Sequence, residues 1–140
     1  MKWEFVVPGI PISVNAKGPG KKQWIATVRE HATRNLPAEG FPIISDVAVS
    51  VVFFHVEDSL DVDNMLKRIL DGIHPEVIAD DSQVQDVSGS RRDISGTLSI
   101  RNPPAIILPH VIAGDPFVYV SIAEAMSQEE LPWIGAEPSS

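Results

Sequence analysis

With 140 residues, 44% of them hydrophobic, the chain is long enough for one domain with a substantial core and too short for a second of ordinary size. It has no cysteine, which excludes disulfides and thiolate metal sites and is compatible with a reducing cytoplasm. A net charge of −8 weighs against an ordinary nucleic-acid binder, whose affinity comes largely from basic residues that release counterions from phosphate.

No apolar run approaches the roughly 18–20 residues that span a bilayer, and MKWEFVVPG lacks the apolar centre of a secretory signal, so a soluble, cytoplasmic protein without membrane contact is expected. In chain order, residues 3–7 read as a strand that stops at Pro8-Gly9, and residues 10–14 continue extended around Pro11. The stretch 15–23, NAKGPGKKQ, is a glycine- and lysine-rich loop. Its plain reading is a solvated, mobile loop; its functional reading is a basic arm that brings Lys17, Lys21 and Lys22 to a DNA backbone. Trp24, Ile25, Val28, Ala32 and Leu36 recur at helical spacing, which predicts an amphipathic helix over about 22–35 with Trp24 in the core and Arg29 and Arg34 outward. Arg29 thereby joins the candidate DNA contacts. Residues 43–56 are almost continuously apolar, the pattern of a central strand covered on both faces.

Residues 60–84, LDVDNMLKRILDGIHPEVIADDSQV, combine helical apolar spacing with five aspartates, at 61, 63, 71, 80 and 81. Carboxylates this close repel one another and call for cations, protons or water to neutralise them. Asp63 is the expected N-cap of a helix running to about Gly72. Met65, Leu66, Ile69, Leu70 and Ile73 make its apolar stripe, while Asp63, Lys67 and Asp71 share the opposite side at i, i+4 and i+8. Asp61 precedes the cap by two residues. The Ile-His-Pro break ends the helix, and residues 77–79 are expected to bring Asp80 and Asp81 back beside its start. The result is an all-oxygen site with Lys67 on its rim, suited to Mg²⁺ or Mn²⁺ and unsuited to zinc.

Beyond this segment, residues 84–92 read as a strand that leaves Arg91 and Arg92 near the site, either as phosphate clamps or as edge-protecting charges. Residues 97–100 are predicted as a short strand, the apolar run 105–108 has no assigned place, and 117–122 is predicted as a closing strand. The histidines at 31, 55, 74 and 110 show no metal-binding spacing and are taken as structural or surface groups. No phosphate-cradling glycine loop indicates a nucleotide cofactor.

Asp61-Val62-Asp63-Asn64 followed by Lys67 and Asp71, with Asp80-Asp81-Ser82-Gln83-Val84 behind, closely resembles the signature of the RusA-type Holliday junction resolvases. Pro8, Gly9, Pro11, Asn15 and Lys17 resemble the start of that family more loosely. The resemblance implies an Mg²⁺-dependent endodeoxyribonuclease acting on branched DNA as a homodimer, of phage or prophage type. It further implies metal ligation by Asp61, Asp63 and Asp81 and a catalytic or phosphate-contacting Lys67. Asp71 and Asp80 are candidates for supporting the ligands. The corresponding domain spans 1–124, with 125–140 as a partly disordered tail. Residues 95–114 are longer than the family's usual connection, and either dimerisation or junction recognition could depend on them.

The expected fold is α+β, a mixed sheet of four or five strands with two helices packed on it and no legible strand order. Three functions compete: a junction-resolving nuclease; a catalytically inactive module of the same kind that binds branched DNA or a protein; and a DxD transferase that holds a nucleotide sugar through Mg²⁺. Retention of every motif residue favours the first and the acidic charge favours the second. The missing phosphate loop disfavours the third.

Overall fold

The computed structural model describes residues 3–11, 19–56, 62–129 and 131, with residues 19 and 62–64 described as backbone. Strands β1 (Trp3–Pro8), β2 (Val47–His55), β3 (Val84–Asp93) and β4 (Phe117–Glu124) form one sheet in the order β1-β4-β2-β3. β4 is antiparallel to both of its neighbours and β2 is parallel to β3, so β1, β2 and β3 share a direction. Helix α1 (Pro19–Thr33) joins β1 to β2, and helix α2 (Val62–Ile73) joins β2 to β3. The fold is therefore α+β with a mixed sheet, as the sequence predicts. A third, short helix, α3 (Leu108–Ala113), is added.

The alternation of β2 sets the core. Val47, Val49, Val51 and Phe53 are at most 1% exposed and meet Trp24, Val28 and Ala32 of α1 and Met65, Ile69 and Ile73 of α2. Both helices thus lie on one face. Both also start from the same end of the sheet, because each follows a parallel strand and finishes at the strands' beginning. Trp3 Nε1, at the start of β1, donates to Ala32 O near the end of α1 (2.7 Å), and just past α2 Ile78 bridges Ile43 ahead of β2.

The other face of β2 departs from the expectation of cover on both sides. A second, smaller core of Val6, Phe54, Ile107, Phe117 and Tyr119 is closed by residues 94–111, yet Ser50 is exposed and Ala48 only half-buried. The covering segment has one 3₁₀ turn (Ala105–Ile107) and the six-residue α3, too little to roof a four-stranded sheet. The strand predicted at 97–100 does not form; that stretch lacks a strand partner, and Leu98 and Ile100 pack against the second core. β4, predicted as a closing strand, lies inside the sheet, with Phe117–Val120 buried.

Two helix starts also shift. α1 begins at Pro19, whose fixed φ and missing N–H suit a first helical position, so Lys21 and Lys22 belong to its first turn and not to a loop. Lys17 lies outside the described residues. α2 begins at Val62, which places Asp63 in the first turn and not at the N-cap, while Asp61 lies outside the described residues. Near the other end of α2, Gly72 is where the two helices touch. A Cβ there would stand 2.5 Å from Val28 Cγ1.

Candidate functional site

After α2 the chain turns sharply, with Val77 N and Ile78 N both donating to Ile73 O at 2.9 and 3.1 Å. It then runs beside residues 43–45 before entering the 3₁₀ turn Asp81–Gln83. Asp80 is the N-cap of that turn. Its carboxylate accepts from Ser82 N and Ser82 Oγ, while Gln83 Oε1 accepts from Asp80 N at 2.8 Å, a reciprocal capping box. The Ser82 bonds, side chain first and backbone second, hold the Asp80 carboxyl below its ordinary value. Gln83, only 9% exposed, then donates from Nε2 to Ile43 O (2.7 Å) and Ser45 O (2.8 Å). The turn is tied to the chain entering β2.

This arrangement separates two adjacent aspartates by role. Asp80 is consumed by the cap, whereas the Asp81 carboxylate is exposed and has no hydrogen bond or ion pair among the described residues. Among the described residues its oxygens are unengaged, on a turn that is itself fixed. Other acids nearby are sparse: among the described residues no three His, Asp or Glu side chains form a group able to hold a metal. Asp61 and the Asp63 side chain lie outside the described residues, so the expected three-aspartate set lies partly there. The donor chemistry that is present, a carboxylate free to ligate in a chain without thiols, fits a hard cation.

On α2, Lys67 is exposed and Asp71 half-buried. No ion pair joins them among the described residues, although their i, i+4 spacing on one side of the helix would allow one. The neighbour of Lys67 is more constrained: Arg68 is 5% exposed, a buried cation on the candidate site's own helix. Charge patterning gave no reason to single it out, because its position beside the apolar stripe becomes significant only once α2 is docked.

The basic candidates divide as well. Arg29, expected to point outward, turns toward the end of α2. Its Nη2 donates to Asp71 O (2.9 Å) and His74 O (3.2 Å), capping the carbonyl end of α2, and its Nε lies 3.3 Å from Glu76 Oε2, an ion pair in distance without hydrogen-bond alignment. Arg34 pairs with Glu30 at 2.9 Å. Lys22 is exposed and Lys21 half-buried in the first turn of α1, at the end of the sheet from which α2 also starts. Arg91 and Arg92 are exposed on β3, an edge strand of this sheet. Arg101, not singled out from the sequence, is exposed beside Arg92 across a cleft.

No curated protein matches the sequence. The family profile described as endodeoxyribonuclease RusA matches residues 13–122, which include both acidic segments, all of β2, α2 and β3, and most of β4. The chain belongs to the RusA endodeoxyribonuclease family.

Proposed function

We propose that this chain is a divalent-metal-dependent endonuclease that cuts branched DNA, with the four-way junction as substrate and a homodimer as the working form. The observation that carries the reading is the division of labour in the Asp80–Asp81 pair: a capping box fixes the turn and leaves one carboxylate unspent. A purely structural turn needs the first aspartate and has no use for the second.

Asp61, Asp63 and Asp81 would hold the metal, Mg²⁺ or Mn²⁺. When bound, such an ion supplies an activated water and neutralises charge on the phosphoryl oxygens. The chain's own part is positioning. Gln83 and Asp80 fix the backbone that presents Asp81. Lys67, exposed one turn beyond Asp63 on α2, brings a cation to the charge that builds on the phosphate in the transition state. Lys21 and Lys22 open α1 at the same end of the sheet and would attract the DNA backbone. A two-fold dimer would place two such sites for paired nicks.

The net charge of −8 favours the second reading, a binding module without cleavage. One assay separates the two: a labelled four-way junction and a linear duplex of the same sequence, in Mg²⁺, Mn²⁺ or EDTA, with wild type, Asp63→Asn and Asp81→Asn. The nuclease reading expects junction-selective paired nicks that EDTA abolishes and that each substitution lowers by ~10²–10³ or more. Junction binding without nicks in any metal would establish the module instead.

A further inference from the structure

On the face of the sheet turned away from α1 and α2, Val52 and Phe54 of β2 and Ser90 and Arg92 of β3 line one side of a cleft. The extended stretch from Leu98 to Arg101 lines the other. The cleft has a volume of about 300 Å³, the lower end of the range for small-ligand sites. It contains two guanidinium groups and no carboxylate, on a chain whose net charge is −8. Arg101 has no hydrogen bond or ion pair among the described residues, and Arg92 donates from Nη1 to the Arg91 carbonyl at 2.7 Å. Asp93, the nearest acid along β3, is in register with His55 and so belongs to the opposite face. Its carboxylate is occupied by Ser95 N and Ser95 Oγ.

Two forked cations, the hydroxyls of Ser90 and Ser99, and the half-buried aliphatic edges of Val52, Leu98 and Ile100 form a specific combination. A guanidinium fork matches phosphate oxygens, and aliphatic edges and guanidinium planes accept the flat face of a base. An intact duplex is too broad for a cleft of this volume, and its bases are stacked. A nucleotide at a branch point loses a stacking neighbour whenever the junction opens, so extruding it then costs less. The cleft also lies toward the ends of β2 and β3, the end of β2 from which the chain proceeds to residues 61–63.

We propose that this cleft takes an unstacked nucleotide of the branched DNA, with its phosphate on Arg92 and Arg101 and its base against Leu98, Ile100 and Val52. The inference rests on the junction-cleaving reading and assigns the 95–114 segment a part in substrate choice: distinguishing a branch from a continuous helix.

The test uses a four-way junction carrying 2-aminopurine at the branch point and a linear duplex carrying it internally, with Ca²⁺ replacing Mg²⁺ for the binding measurements. Wild-type protein is expected to raise 2-aminopurine fluorescence on the junction and not on the duplex. The doubly substituted Arg92→Ala, Arg101→Ala protein is expected to bind the junction ~10–100-fold more weakly, with no fluorescence rise and with duplex binding changed far less. Both arginines are exposed, so an unchanged melting curve is expected; Arg92→Gln and Arg101→Gln singly repeat the test if the double variant melts early. Equal losses on junction and duplex would overturn the inference by reducing the arginines to general phosphate contacts, as would wild-type affinity or an undiminished fluorescence rise in the variants. Junction nicking in Mg²⁺ by wild type, measured in parallel, keeps the two failures apart. Nicking with an unaffected double variant removes only the nucleotide cleft, whereas absence of junction binding and nicking removes the nuclease reading and the cleft with it.

Discussion

Tyr119, the chain's single tyrosine, donates its hydroxyl to Glu4 Oε2 at 2.6 Å on the sheet face away from the long helices. Burial first and that carboxylate second push the phenol up from 10 to about 12. A raised folded-state value means that the associated stability is complete below the unfolded tyrosine's pKa, near 10. It is then lost as pH rises through about 12. Titration of phenolate absorbance should therefore give one midpoint near 12 in the folded protein, and Tyr119→Phe should flatten the fall in stability between pH 10 and 12. A midpoint near 10 would show that the Glu4 bond does not hold in solution. Gln83 supports a larger claim. Its side chain satisfies Asp80 N, Ile43 O and Ser45 O together, so Gln83→Ala should cost ~1–3 kcal/mol in urea unfolding and lower nicking through a loosened Asp81. The D-x-x-Q spacing of a capping box was present in the sequence. That spacing fits Asp80 alone; the reach of Gln83 to the carbonyls of Ile43 and Ser45 was not legible, because those partners lie 40 and 38 residues away. The partners of Arg29 were hidden for the same reason: they are carbonyls 42 and 45 residues away, which no local pattern reveals.

At the scale of elements, periodicity gave the two long helices and all four strands, since each depends on a repeat that can be counted over a few residues. It failed where a tertiary partner decides. Residues 97–100 alternate like a strand but have no strand to pair with among the described residues, and the open half of β2's second face follows from how little of the described chain covers it. Gly72 shows the same limit. Near a helix end, a glycine ordinarily signals termination. Here it lies within α2, where the absent side chain lets α1 approach. Gly72→Ala gains up to ~1 kcal/mol in helix propensity, but the new Cβ would meet Val28 Cγ1 at 2.5 Å and Val28 Cβ at 2.9 Å. The steric term wins, and a net destabilisation of ~1–2 kcal/mol is expected from the urea midpoint. A stabilised variant would mean that α1 and α2 stand further apart than the structure places them.

For the whole molecule, the decisive quantity is charge. Residues 1–35 carry six Lys or Arg against two acids, and the remainder carries five against seventeen, so a DNA backbone meets attraction and repulsion on different parts of one small surface. Cations held by the clustered aspartates would reverse the local sign. Removing divalent metal at constant ionic strength should consequently weaken junction binding as well as nicking, by about tenfold or more. Binding that is indifferent to EDTA would confine the metal to chemistry and leave the basic residues to provide the affinity alone.

The interior position of β4 also has a consequence for biosynthesis. Val118, Val120 and Ile122 complete the main core, and Phe117 and Tyr119 the smaller one, yet residues 117–124 are made after every other strand and helix among the described residues. Until they emerge from the ribosome, β1 and β2 have no strand between them and both hydrophobic faces lack a central member. The pairing of Trp3 with Ile122 then closes nearly the whole length of the described chain in a single contact, a slow class of folding event. A nascent chain that already displays the complete acidic motif would therefore remain without a folded domain until synthesis has passed β4.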